Sequence, residues 1–159
     1  MLDTVNDETL KLVINRYLRK IFALVFYLIG NDSDKTYQIT ASSYVEVFMS
    51  IWSLNDENAL FIKLAQEAIE QSRNVKIIPS SKEPPFRNIP PERKKTLHIL
   101  SGALQALPFD ERALLLLRDQ IHLSYPNIAS ILGISQHNVR SQISHARTQI
   151  RKKIEGALL

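Results

Sequence analysis

Residues 125–150, YPNIASILGISQHNVRSQISHARTQI, decide the architecture of this chain. Ser124, just before them, is a candidate N-cap, and Pro126 suits a first helical turn, where its missing N–H needs no partner. Ile128, Ala129, Ile131 and Leu132 fall at helical spacing on a short helix. Gly133 ends it, because a residue without Cβ enters the left-handed region at little cost. Ile134 plugs the corner. Ser135 then caps a longer helix whose apolar residues Val139, Ile143, Ala146, Ile150 and Ile154 form a single stripe. This is the grammar of a helix-turn-helix.

Off that stripe lie Gln136, His137, Asn138, Arg140, Ser141, Ser144, Arg147, Thr148 and Arg151, and no acid occurs from Gln120 to Ile154. A basic, hydrogen-bonding face without acids can lie in the major groove, with its first turn at base edges and its later cations at phosphates. Gln136, His137 and Asn138 occupy that first turn, and Gln and Asn suit adenine edges. An αα-hairpin with a solvated basic face has the same spacing. The cap, turn glycine, plug isoleucine and acid-free face together favour DNA binding.

Before this segment, Leu97, Leu100, Leu104 and Leu107 repeat at helical spacing as far as Pro108, and Asp110 is a candidate cap for a helix bearing Leu114, Leu117 and Ile121. Upstream again, residues 76–92 read KIIPSSKEPPFRNIPPE, and their five prolines push neighbours towards extended backbone. Such a stretch is a semi-rigid tether. Charge changes sign there. Residues 1–78 hold eight Lys+Arg against ten Asp+Glu, a net of −2, whereas residues 79–159 hold twelve against six, a net of +6.

The N-terminal part is helical too. Leu10, Val13, Ile14, Tyr17, Leu18, Ile21, Leu24, Val25 and Leu28 form a stripe ending at Gly30. Val45, Phe48, Met49 and Trp52 form a second, and Phe61, Leu64, Ala65, Ala68 and Ile69 a third. NDSDKT, residues 31–36, reads as a turn between the first two. The expected fold is therefore all-α. Two small helical domains, residues 1–78 and 94–159, are joined by a Pro-rich linker over 79–93, and the C-terminal one carries the helix-turn-helix.

The same composition excludes several classes of function. With no cysteine among the 159 residues, disulfides, thiolate metal sites and cysteine nucleophiles are absent. His137 and His145 are too far apart for a compact metal pair on one helix, and no HExxH, phosphate loop or GxSxG elbow occurs. No enzyme, metal, cofactor or small-molecule substrate is expected. The longest uncharged apolar run, residues 21–29, is nine residues against the roughly twenty of a bilayer span. MLDTVNDETL carries acids where a signal peptide carries Lys or Arg. A cytoplasmic protein without membrane contact is expected.

The segment LPFDERALLLLRDQIHLSYPNIASILGISQHNVRSQISHARTQIRKKI resembles region 4 of bacterial sigma factors, most closely the extracytoplasmic-function group. The resemblance rests on Leu107-Pro108, Leu123-Ser124-Tyr125, Ile128-Ala129, Leu132-Gly133-Ile134-Ser135, Val139, Ser141 and Ala146-Arg147. LuxR-type response regulators share the same helix-turn-helix grammar. YVEVFMSIW, residues 44–52, is similar to the family's region 2 signature through Glu46, Val47, Phe48, Ile51 and Trp52. The order of a long helix, a second ending in Trp, a third, a Pro-rich linker and then region 4 also matches.

This resemblance implies a factor that docks on the RNA polymerase core through Glu46, Phe48, Met49 and Trp52. It would read a minus-35 promoter element on duplex DNA through Tyr125, Ser135, Gln136, His137, Asn138, Arg140, Ser141, Ser144, Arg147, Thr148 and Arg151. It also implies an anti-sigma protein as a partner. There are departures. Ser42 replaces the usual acid and Val45 the usual Gln, and after Trp52 four acids (Asp56, Glu57, Glu67, Glu70) face Lys63 and Arg73 where basic and aromatic residues are usual for strand capture. Those departures keep open a second reading, a sigma-like regulator that binds DNA and does not itself direct initiation. A third is a helical interaction module with an incidental basic face.

Overall fold

The computed structural model describes residues 7–50, 56–76 and 89–159. Among them, seven α-helices and one π-helical turn account for all regular structure, in keeping with the all-α expectation. These are α1 (Asp7–Leu28), α2 (Ser33–Ser50), α3 (Glu57–Arg73), α4 (Pro91–Gln105), α5 (Phe109–Leu115), the π turn (Leu116–Gln120), α6 (Tyr125–Leu132) and α7 (Gln136–Leu158).

Helices α1, α2 and α3 pack on one another. Ile21, Leu24, Val25 and Leu28 of α1 meet Leu64, Ala65 and Ala68 of α3 with no exposed surface. Phe61 is buried beside them, as its spacing suggests, with Tyr17 5.0 Å from its ring. The link between α1 and α2 is shorter than the polar run NDSDKT predicts. Gly30 and Asn31 both take left-handed φ, 83° and 70°. Asp32 then caps α2, accepting from the backbone N–H of Lys35 at 3.0 Å, so residues 33–36 are already helical.

Helix α2 also turns a different face inward from the one its apolar residues predict. Thr36, Thr40, Ser43, Tyr44 and Val47 are buried, while Val45 and Met49 are 56% and 73% exposed. Its small polar residues tolerate burial where their hydroxyls bond back to the preceding turn. Thr36 Oγ1 donates to the Asp32 carbonyl at 2.6 Å and Ser43 Oγ to that of Ile39 at 2.7 Å.

Pro91 opens α4, the position at which a helix tolerates proline best. Residues 91–93 of the expected linker are thus helical, and residues 77–88 lie outside the described residues. Leu104 and Leu107 are buried as their spacing predicts, but Leu97 and Leu100 are half-exposed. They line a groove of about 770 Å³ between α1, α4, the π turn and α7, shared with Phe26, Tyr27 and Ile150. Asp110 does not cap α5. Pro108 holds that position, and Asp110 instead receives Arg73 Nη1 from α3 at 2.8 Å.

One buried apolar cluster runs through both halves of the chain. Around it, polar side chains join α1 and α3 to the C-terminal helices. Gln105 Nε2 donates to the Tyr27 carbonyl at 2.9 Å, Gln66 Nε2 to that of Ser130 at 2.9 Å, and Asn58 and Asn127 exchange amide bonds. Arg112 lies deepest. Its Nε donates to the Leu104 carbonyl at 3.1 Å, and Nη2 to those of Gln105 and Leu107 at 3.1 and 2.9 Å. Nη1 reaches the carbonyl of Leu28, the last residue of α1. Burial lowers the guanidinium pKa from its ordinary value, and these carbonyls, three of them at helix ends where the dipole is negative, keep the charge tolerable.

Candidate nucleic-acid interface

The α6–α7 corner is set by local chemistry. Ser124 Oγ accepts the Asn127 N–H at 3.3 Å, and Ser135 Oγ accepts the Asn138 N–H at 3.1 Å. Gly133 stands between them with φ 65° and ψ 34°, its own N–H returning to the Ala129 carbonyl. The Ile134 N–H bonds that same carbonyl at 3.1 Å while its side chain packs against the core. Ile128, Ile131, Val139, Ile143 and Ala146 are buried and fix the helices to each other.

What remains outside is the expected face. Ser135, Gln136, His137, Asn138, Arg140, Ser141, Ser144, Arg147, Thr148 and Arg151 are all exposed, and Tyr125 is half-buried beside them. Thr148 differs from its neighbours, since its hydroxyl donates to the Ser144 carbonyl at 3.0 Å. Two guanidinium groups lie over the Tyr125 ring, Arg118 at 4.7 Å and Arg140 at 5.6 Å. Arg118 is anchored by Nη1 donating to the Leu123 carbonyl at 2.7 Å.

Sequence spacing missed two acids here. Arg147 does have an acidic partner, although α7 itself supplies none. Its Nε donates to Asp119 Oδ2 at 3.2 Å and its Nη2 to Oδ1. The hydrogen bond to Asp119 raises the Arg147 pKa above its ordinary value. On the opposite margin His145 Nδ1 meets Glu111 Oε1 at 3.1 Å. Asp119 precedes the acid-free run by one position and Glu111 by nine, and only the packing of α5 and the π turn on α7 brings them near.

On α2, Glu46 and Met49 are exposed and Phe48 is half-buried, stacked on Tyr44 at 5.9 Å between ring centroids. Trp52 lies outside the described residues. Tyr37, Val45 and Met49, spaced by multiples of four, leave an apolar row along the exposed side of this helix. Among the described residues no group of acids and histidines could hold a metal ion, and no helix is long and apolar enough to cross a membrane.

Known proteins share this arrangement. The sequence profile described as "Sigma-70, region 4" matches residues 97–150, which spans α6 and most of α4 and α7. Over 94% of its length the chain is 26% identical to the ECF RNA polymerase sigma-E factor of Haemophilus influenzae, covering 89% of that protein. It is 23% identical to the RNA polymerase sigma-H factor of Pseudomonas aeruginosa, over 92% of this chain and 86% of that one. In three dimensions it resembles the sigma factor RpoE of Bartonella quintana, solved with the anti-sigma factor NepR, at a TM-score of 0.69 and 19% identity, covering 92% and 96% of the two chains. CnrH, solved with the cytosolic domain of CnrY, superposes at a TM-score of 0.70 with 14% identity, covering 96% of this chain and 91% of that one. A region 4 profile thus lies on its helix-turn-helix, and over nearly its whole length the chain is similar to extracytoplasmic-function sigma factors.

Proposed function

We propose that this protein is a sigma factor that binds core RNA polymerase and directs promoter-specific initiation by reading a minus-35 element. The observation that carries this is the exposed, basic face of α7, held outward by two serine caps and a left-handed glycine. Gln136, His137 and Asn138 stand at the base edges, and Arg140, Arg147 and Arg151 along the phosphates. Ser135, Ser141, Ser144 and Thr148 fill the remaining contact positions, and Tyr125 braces Arg140.

The N-terminal helices, residues 1–78, are the polymerase-binding module, and 94–159 the DNA-binding module, with 79–93 between them. Glu46, Phe48, Met49 and Trp52 form the polymerase contact. Exposed apolar side chains in a row, such as Val45 and Met49, mark a surface that a partner covers. The protein has no chemistry of its own and acts in the cytoplasm. An anti-sigma protein is its inhibitory partner, as the similar sigma factor solved with the anti-sigma factor NepR suggests.

The test is capture of the full chain by bacterial core RNA polymerase, followed by transcription in vitro from a DNA pool. Co-elution with core and a promoter-dependent transcript are expected. Arg140→Ala should weaken duplex binding and the transcript together while leaving capture by core intact. DNA binding without capture or transcript would instead mark a regulator built on a sigma scaffold.

A further inference from the structure

Arg147 differs from the other cations of its helix. Among the described residues Arg140, Arg151, Lys152 and Lys153 make no ion pair, whereas Arg147 is gripped by both oxygens of Asp119. The two side chains are 48% and 47% exposed, so the pair adds little to folding stability. Its geometry is nevertheless specific. A carboxylate engaging Nε and Nη2 fixes the plane of the guanidinium and leaves Nη1 with both its hydrogens directed elsewhere. The acid comes from the π turn, where the Ile121 N–H bonds the Leu116 carbonyl at 3.0 Å and the Leu123 N–H that of Leu117 at 3.0 Å. That turn packs beneath α6, and Arg118 next to it is fixed to the Leu123 carbonyl and to the Tyr125 ring. Asp119 therefore belongs to a braced element and is not a loose surface acid.

We propose that Asp119 is a positioning residue for DNA recognition, acting through Arg147. This rests on the reading of α7 as the DNA-contacting helix. Asp119 does two things at once. It holds the guanidinium at the margin of α7 so that Nη1 presents to a single phosphate or base position. It also cancels the arginine's charge, so this contact adds register and little indiscriminate attraction. A free Arg147 would do the reverse, sweeping over neighbouring phosphates and raising affinity for any duplex.

The experiment measures binding of the full chain to two fluorescent duplexes across a salt series. One has random sequence, and the other is enriched by the wild-type chain from a random pool. Asp119→Asn keeps the shape and removes the charge. On the random duplex it should steepen the slope of log K against log salt by about 0.9, one phosphate's worth. Between about 50 and 200 mM salt that is an extra three- to fourfold loss of affinity. The ratio of enriched to random affinity should fall, and Arg147→Ala should lower it too. The double variant Asp119→Asn/Arg147→Ala has the wild-type net charge at this place and should return the wild-type slope.

An unchanged slope in Asp119→Asn, or a steepened slope that persists in the double variant, would overturn the route through Arg147. A steepened slope with an unchanged affinity ratio would overturn the positioning role. A wild-type chain that binds neither duplex would overturn the DNA reading itself, a different failure with a different signature.

Discussion

Replacing Arg112 by Met should cost this protein a large part of its stability. The guanidinium is 4% exposed and bonds four carbonyls, those of Leu28, Leu104, Gln105 and Leu107. Methionine fills part of the volume and supplies no donor. A buried carbonyl left without a partner costs about 1–3 kcal/mol. Three of the four sit at the ends of α1 and α4, where water can reach some of them once the guanidinium is gone. With two regaining water and two staying dry, the loss is about 4 kcal/mol. A domain of this kind holds about 5–15 kcal/mol in total. At about 2 kcal/mol per molar urea, the unfolding midpoint should fall by about 2 M with an unchanged slope. Arg112→Lys should recover less than half of that, because one ammonium on a straight stem cannot span four carbonyls on three segments. A midpoint within about 0.5 M of wild type would mean that the carbonyls satisfy one another or stay hydrated. The clasp would then contribute nothing.

Two other perturbations concern single residues. Gly133→Ala places a Cβ where nothing lies within 4 Å, so its cost is purely conformational. It should be about 1–2 kcal/mol, readable by thermal or urea unfolding, with Gly133→Asn losing less because Asn tolerates φ 65° better. Burial, helped by the neighbouring Tyr17 hydroxyl, pushes the Tyr44 phenol up to about 12. Below pH 10 the ring is neutral whether the chain is folded or not. Between about 10 and 12 the unfolded chain ionises first, so stability falls by about 2–3 kcal/mol as pH rises. Urea midpoints of wild type and Tyr44→Phe should diverge across that range, and parallel curves would refute the assignment.

The C-terminal half was legible because its signals are local. Ser124, Gly133 and Ser135 act on backbone groups within three or four positions, and the stripe Val139, Ile143, Ala146 is buried where periodicity puts it. Helix α2 was legible as a helix but not in its phase. Its buried side holds Thr36 and Ser43, which hydropathy scores as surface, while Val45 and Met49 face outward. Hydropathy records what a side chain prefers in water. It does not record that a hydroxyl can return its proton to the preceding turn. Leu97 and Leu100 mislead for a related reason, since the side of α4 they mark opens onto a groove. The Arg112 clasp reaches a carbonyl 84 positions away, and the Asp119–Arg147 pair joins residues 28 apart. Neither leaves a trace in spacing, and both came from packing alone.

A π turn is an α-helical turn that has absorbed one extra residue while its flanks stay in place. Leu116–Gln120 is such a turn, and the side chain it aims at α7 is set by chain length more than by residue identity. Deleting one residue there would restore α pitch and turn the residues within it by about 100° relative to flanks that stay in place. Asp119 would swing away from Arg147 although every other side chain was retained. Insertions and deletions are therefore sharp edits at this point of the chain, and a single-residue gap is enough to change which side chain the turn aims at α7.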